Sequence, residues 1–423
     1  MTDYDPGMAA LLDRHLAPIV RESIENFRIV EIQGARQSGK TTLAQQITTE
    51  RGGRLVSLDD PLLRAAAADD PQTFVDQHPE GLLAIDELQR VPELVLALKQ
   101  AVDRDPRPGR FLVTGSANLL RLPAVQDSLA GRAVGVELHG FSQGELYGHV
   151  EQFIDRAFAG DRFLDHRSTR TKTDYLDAIT AGSYPEAVAL RAGRSRDRWF
   201  DGYLTRIVER DAPDIADGRR LADLPFVLRM IAARNADELN IADIAKESGI
   251  PATTLTRLID LLETLYLVQR VPAWATNLSK RVVQRPKAML LDTGLAARLV
   301  NATTASLGPG VGGRPVGHLF EAFVATELRR QHEWSDLRPT ISHYRVHQAE
   351  EVDLVLESGD GRVVGIEVKA SATVNGHDAH HLTTLRDKLG NRFVGGVVLH
   401  TGRTAAPFGD RITAAPLDTL WTA

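Results

Sequence analysis

Gly34-Ala35-Arg36-Gln37-Ser38-Gly39-Lys40-Thr41 fits the spacing G-x-x-x-x-G-K-[ST] at every fixed position, and Thr42 follows. Glycines at both ends let backbone N–H groups turn inward around a phosphate, and a helix starting at the far end adds positive potential. Lys40 would reach the β- and γ-phosphates of a nucleoside triphosphate, and the Thr41 hydroxyl would ligate Mg2+. Leu82-Leu83-Ala84-Ile85-Asp86-Glu87 is an apolar run ending in two carboxylates. Asp86 is the expected Mg2+ partner, and Glu87 the expected base that takes the proton of the attacking water. Phe111-Leu112-Val113-Thr114-Gly115-Ser116 is a further run with polar atoms at its end. Ser116 is a candidate γ-phosphate sensor, with plain turn chemistry as the alternative. Arg132 is a candidate arginine finger, with an ordinary surface arginine as the alternative. ATP and Mg2+ are the expected cofactors.

A second constellation lies near the other end. Asp353, Glu367 and Lys369 fit the pattern D…E-x-K, with Glu321 on a preceding helical stretch. Two carboxylates can hold Mg2+ and leave water positions open, and a lysine can orient the attacking hydroxide. The metal set expected here is Glu321, Asp353 and Glu367, and the catalytic set Asp353, Glu367 and Lys369. The alternative is a strand in which acid and lysine merely alternate on one face.

The elements that must position these residues follow from periodicity. Short apolar runs at Phe27–Ile32, Leu55–Leu58, Leu82–Ile85 and Phe111–Thr114 alternate with helical stretches, which implies a largely parallel sheet. Near the C-terminus the order reads helix (His318–Arg330), three strands (Ile341–Val346, Val352–Leu356, Arg362–Lys369), helix (Asp378–Leu389) and strand (Phe393–Leu399). Between these regions, Ile241–Ser248 reads as a short helix capped by Asn240, Gly249-Ile250-Pro251 as a turn, and Ala252–Leu265 as a second helix. Leu255, Leu258, Ile259, Leu262 and Leu265 share one face, leaving Thr253, Thr254, Thr256 and Arg257 on another. Thr264–Leu291 contains no Asp or Glu but carries Arg270, Lys280, Arg281, Arg285 and Lys287, with Trp274 among them. A one-sign stretch beside such a helix pair is the footprint expected of a duplex-binding wing. The alternative is a packing unit with no nucleic-acid role.

With 50 Lys+Arg against 56 Asp+Glu, the 423-residue chain carries a net charge of −6. Any DNA contact must therefore come from a local basic patch. The absence of Cys excludes disulfides, thiolate metal sites and a Cys nucleophile, and fits a cytoplasmic setting. No apolar run approaches a membrane span, and Met1–Ala10 lacks the order of a signal peptide.

Taken together, the chain resembles a family of prokaryotic AAA-type ATP-binding proteins. Their C-terminal domain of unknown function is similar to Holliday-junction-resolvase nucleases of the PD-(D/E)xK type. The resemblance rests on Gly34–Leu43, Ser128–Arg132, Gly182–Glu186 (G-S-Y-P-E), Glu209–Asp211 and Arg285–Lys287 (R-P-K). It continues in Leu291–Leu295 (L-D-T-G-L), Phe320–Leu328, Glu351–Leu356 and Ile366–Ser371. It implies an α/β phosphate-loop domain of the AAA type at 1–150 and a helical lid region at 151–222. A winged helix-turn-helix at 223–300, a linker at 301–314 and a restriction-endonuclease-like α/β domain at 315–423 would follow. The leading expectation is an ATPase acting on DNA, with Mg2+-dependent cleavage of duplex or branched DNA left open. The rival is a nucleotide-dependent switch whose nuclease-like module is silent and binds DNA or a protein. A homo-oligomer is compatible with either, and no membrane is expected.

Overall fold

The computed structural model describes residues 12–115, 129–215, 221–277, 281, 284–308, 316–346 and 350–422. The chain divides into two compact units, Ala10–Phe141 with Thr264–Tyr266, and Ser142–Glu263 with Leu267–Ala423. The expected lid, helix-turn-helix and C-terminal regions thus belong to one unit. Among the described residues no helix is long and apolar enough to cross a membrane.

The first unit is built on five strands: β1 (Ile29–Gln33), β2 (Arg54–Ser57), β3 (Leu83–Asp86), β4 (Phe111–Gly115) and β5 (Ala133–Glu137). Their order is β2-β3-β4-β1-β5, and every pairing is parallel. The pleat sends alternate residues to opposite faces. Ile29, Leu83, Ile85, Phe111 and Val113 join one core with Leu94, Leu98, Ala101 and Val102 of the helix Leu94–Arg104. Val30, Ile32, Ala84 and Leu112 join the other, with Leu43, Ala44 and Ile47 of the helix Lys40–Glu50 and Val20 and Ile24 of the helix Ala17–Asn26. Burial on both faces is why these strands read as unbroken apolar runs.

The second unit holds two sheets. The smaller has three strands, β6 (Asp237–Glu238), β7 (Val268–Val271) and β8 (Lys287–Leu290), in the order β6-β8-β7. With it go the helices Leu224–Ala233, Ile241–Ser248 and Ala252–Thr264. The Asn240 side chain caps the second helix and Gly249 ends it in the left-handed conformation. Leu255, Leu258, Ile259 and Leu262 are buried, whereas Thr253, Thr256 and Arg257 are exposed. The larger sheet has six strands, β9 (Thr340–Val346), β10 (Glu350–Glu357), β11 (Val363–Lys369), β12 (Phe393–His400), β13 (Ala406–Pro407) and β14 (Ile412–Pro416). Their order is β13-β14-β12-β11-β10-β9. Pairings are antiparallel from β9 to β11 and parallel from β11 to β14. The helix Val316–His332 buries nearly its whole circumference.

Two motifs meet in this unit. Asp292 is buried and accepts hydrogen bonds from Ser183 N and Oγ (both 2.7 Å) and from Leu295 N (2.7 Å). Gly182 has a φ of +73°, and a Cβ there would lie 2.5 Å from an Asp292 oxygen. G-S-Y-P-E and L-D-T-G-L are thus two halves of one buried polar joint. The expected linker is partly structured: Thr304–Leu307 is a helical turn capped by Thr303, while residues 309–314 lie outside the described residues.

Candidate functional site

The phosphate loop leaves the C-terminal end of β1 and runs into the helix Lys40–Glu50. Gly34 has a φ of +150°, and a Cβ on it would lie 2.1 Å from Leu138 O, so only glycine fits. Gly39, at φ +99°, caps the helix, and Gln37 also adopts a positive φ. Lys40 is buried, and its ammonium donates to Gly34 O (3.0 Å) and Ala35 O (2.8 Å), holding the loop closed on itself. Ser38 Oγ is buried with no hydrogen-bond partner among the described residues. Arg36 and Gln37 are half-buried, and Thr41 and Thr42 are exposed. Arg14 clamps the loop from outside, donating to Ser38 O (2.7 Å) and His139 O (2.6 Å). Nothing in the local sequence pattern marks Arg14, which is brought in by the fold.

Asp86, at the end of β3, is the hub. Its Oδ1 accepts from Thr41 Oγ1 (2.9 Å) and Thr114 Oγ1 (2.6 Å), and its Oδ2 from Ser57 Oγ (3.1 Å). A hydroxyl and a carboxylate side by side are the oxygen donors a hard divalent cation takes, so Thr41 and Asp86 fit Mg2+. Glu87 follows at φ +60°, and its N–H donates to Thr114 Oγ1 (3.1 Å). Gln89 Nε2 donates to Glu87 Oε2 and orients the carboxylate. Ser57 and Thr114 had no role in the sequence reading; the register Ser57↔Asp86 and Ile85↔Val113 brings them here. Ser116 lies outside the described residues.

Arg132 is not brought to this loop. It immediately precedes Ala133, which pairs with Ile29 at the opposite end of β1, and its guanidinium grips Asp103 with bonds of 2.7 and 3.0 Å.

The C-terminal carboxylates do come near one another. Asp353 sits where the β10–β9 register shifts, and its Oδ2 accepts from Val368 N (2.8 Å). Glu367 is 3% exposed; its Oε2 lies 3.2 Å from Lys369 Nζ, and its Oε1 is buried without a hydrogen-bond partner among the described residues. Glu321 donates nothing to this pair. Its Oε1 is 2.6 Å from Lys287 Nζ, which also lies 3.0 Å from Glu351 Oε1. Burial, then the Asp353 charge, pushes the Glu321 carboxyl up to about 8 and that of Glu367 well above the usual range. Burial disfavours the Lys287 ammonium, yet Glu321, Asp353 and Glu351 outweigh it and hold its pKa above the ordinary value. Among the described residues no three Asp, Glu or His side chains are placed to hold a metal. Of the expected Mg2+ set, Glu321 faces the Lys287 ammonium, and the Asp353 charge acts on both Glu321 and Glu367.

In the basic stretch, three of the five cations meet carboxylates within the fold. Arg270 pairs with Asp260 (2.7 Å) and Glu263 (3.0 Å), and Arg281 with Glu357. Lys287 is buried in the carboxylate cluster. Trp274 is core: it is fully buried against Tyr344, and its Nε1 donates to Glu357 (3.1 Å). Its backbone N donates to His343 O (2.6 Å), and His343 N donates to Pro272 O (2.9 Å), so residues 272–274 run along β9. Arg285 is exposed, and Lys280 lies outside the described residues.

Three family models match separate stretches. Residues 26–147 match an AAA domain, and residues 172–306 and 316–420 each match a domain of unknown function (DUF8612 and DUF4143). Uncharacterized proteins of Mycobacterium bovis and Mycobacterium tuberculosis are 27% identical over 413 residues, covering 97% of this chain and 84% of theirs. Among solved structures, the Walker-type ATPase of Pyrococcus abyssi aligns with a TM-score of 0.44 at 16% identity, over 69% of this chain and 96% of its own. AMPPCP-bound DnaA from Aquifex aeolicus aligns with a TM-score of 0.29 at 17% identity, over 62% and 91%. The stretch that carries the phosphate loop lies within residues 26–147, the part of the chain that is similar to an AAA domain.

Proposed function

We propose that this chain hydrolyses ATP with Mg2+ at the Gly34–Thr42 loop and acts as a nucleotide-dependent switch. Its C-terminal domain is then a nuclease-like module that does not cleave. The observation that carries the ATPase reading is the 2.9 Å contact of Thr41 Oγ1 with Asp86 Oδ1 beside the Lys40 loop. Loop N–H groups and the helix start at Lys40 bind the phosphates. Lys40 exchanges Gly34 O and Ala35 O for β- and γ-phosphate oxygens. Thr41 and Asp86 would hold Mg2+, which when bound would supply positive charge to the phosphate oxygens. Glu87, oriented by Gln89, takes a proton from water as its oxygen attacks the γ-phosphorus and the bond to the bridging oxygen breaks, releasing ADP and phosphate. Ser116, one residue past β4, is the proposed γ-phosphate sensor. Arg132 can act as a finger only on a nucleotide held by a second copy. A five-residue strand spans roughly 16 Å, and Arg132 lies at the far end from its own loop.

The three-helix, three-strand arrangement at 224–290 supports a winged helix used for packing, since Arg270, Arg281 and Lys287 are spent on carboxylates within the fold. Action on DNA is the second reading, favoured by the exposed Thr253, Thr256 and Arg257 of the second helix. One experiment weighs these readings: ATP turnover of the wild type and Glu87→Gln, with and without duplex, single-stranded and branched DNA. Glu87→Gln should bind ATP like the wild type and lose at least about 100-fold in turnover. Wild-type turnover should not respond to DNA. Wild-type-like turnover by Glu87→Gln removes Glu87 as the base, and stimulation by any DNA form puts the DNA reading ahead.

A further inference from the structure

The R-P-K segment has no role in ATP hydrolysis, yet its lysine is among the most deeply buried charges of the chain. Lys287 opens β8, and its side chain is 2% exposed. The backbone on either side is pinned: Pro286 O accepts from Leu239 N (2.8 Å), and Arg285 O is 3.1 Å from His343 Nε2. A fixed strand therefore delivers the ammonium to Glu321 Oε1 at 2.6 Å and Glu351 Oε1 at 3.0 Å. These carboxylates come from two different elements, the helix Val316–His332 and β10, while Glu367 comes from β11.

We propose that the Lys287 ammonium is the resident cation of the C-terminal carboxylate cluster, and that a divalent ion enters only once this charge is removed. The argument is competition for oxygen. Mg2+ and Ca2+ bind carboxylate oxygens at roughly 2.0–2.6 Å. An ammonium 2.6 Å from Glu321 Oε1 already occupies that approach, and two cations so close repel. Lysine suits the position because its charge is a compact point with three donors, enough for two carboxylates at once. Glu367 completes the picture. Lys369 engages only its Oε2, and its buried Oε1 keeps an unused acceptor. With Lys287 gone, Glu321, Asp353 and Glu351 lose the positive charge they share, and their repulsion is offset only if they close on another cation. The inference deepens the silent-module reading and rests on it, but it makes no use of ATP hydrolysis, so either can fail alone.

The test is Mn2+ binding to the full chain without nucleotide, by calorimetry and by the paramagnetic signal of free Mn2+. The wild type should show no Mn2+ binding that Asp353→Asn removes. Lys287→Met, which keeps the stem and deletes the charge, should gain one site at least about tenfold tighter than any in the wild type. Adding Asp353→Asn should abolish the gain, and an unchanged tryptophan emission spectrum certifies that the variant is folded, since all four tryptophans lie in the same unit as Lys287. Amine-labelling mass spectrometry on the wild type provides a readout independent of the variant. Lys287 should stay unlabelled with and without Mg2+. Mg2+-induced labelling of Lys287, an Asp353-dependent Mn2+ site in the wild type, or a folded Lys287→Met that gains no Mn2+ site would each overturn the proposal.

Discussion

Thr114 serves two groups with one hydroxyl: it donates to Asp86 Oδ1 and accepts from Glu87 N. Asp86 and Glu87, the carboxylates proposed to hold the metal and to accept the proton, therefore share a hinge pin one strand away. Thr114→Val keeps the shape and removes the pin. It leaves a backbone N–H without its partner, at a cost of about 1–3 kcal/mol. The nucleotide contacts of Gly34–Thr42 are untouched, so turnover should fall by more than about tenfold while the dissociation constant for ATP stays within a factor of about three. Equal losses in binding and turnover would mean that Thr114 supports the whole loop instead. The contrast with the loop itself is physical. Eight contiguous residues set the phosphate cradle, so spacing alone reveals it. Arg14, Ser57 and Thr114 reach the same site only through strand register and the helix Ala17–Asn26, and no local pattern encodes that.

Elements carry their own example in the segment that follows β7. Its lack of Asp and Glu suggests a free basic face, but charge pattern along a chain is silent about partners far away in sequence. Here the partners are Glu357, Glu321 and Glu351, and Trp274 anchors the segment in a core. The succession of elements from the helix Val316–His332 to β12, by contrast, is readable from periodicity because each of these strands buries its own run of apolar residues, whereas β13 and β14 are not readable in this way. The docking has a pH consequence. His343 on β9 is fully buried, its Nε2 lies 3.1 Å from Arg285 O, and its Nδ1 has no hydrogen-bond partner among the described residues. The carbonyl requires the proton on Nε2, leaving Nδ1 bare. Burial, then the Lys287 charge, lowers its pKa to about 4, with Arg345 adding to the effect and Glu351 opposing it. The unfolded chain takes up the proton near 6.5 and the folded chain only near 4. The stabilisation is therefore complete above about 6.5 and is lost as pH falls from there to about 4, some 3 kcal/mol in all. The raised Glu321 and Glu367 carboxyls slope the other way, so the loss is read as a difference: relative to His343→Leu, the wild type should lose about 3 kcal/mol in urea unfolding between pH 6.5 and 4, while the variant costs about 1 kcal/mol at neutral pH through the missing hydrogen bond. Parallel curves for the two proteins would exonerate His343.

For the whole molecule, the useful asymmetry is in tryptophan placement. All four, Trp199, Trp274, Trp334 and Trp421, belong to the second unit, whereas the nucleotide loop belongs to the first. Intrinsic fluorescence therefore reports the unit that does not bind ATP, and calorimetry reports both. A non-hydrolysable ATP analogue with Mg2+ at 100 times its dissociation constant should stabilise the unit that binds it by about 2.7 kcal/mol. A switch requires more, because the second unit must feel the nucleotide through a coupling free energy, typically about 1–3 kcal/mol. The fluorescence-detected melting temperature should consequently rise by a few degrees with the analogue, since about 1 kcal/mol moves a unit of this size by roughly 2–4 °C. Lys40→Ala should remove the shift in both signals, because its ammonium is the point charge on the phosphates. A calorimetric shift with an unmoved fluorescence transition would confine the effect of ATP to residues 10–141 and defeat the switch reading, while leaving hydrolysis by Lys40, Thr41, Asp86 and Glu87 intact.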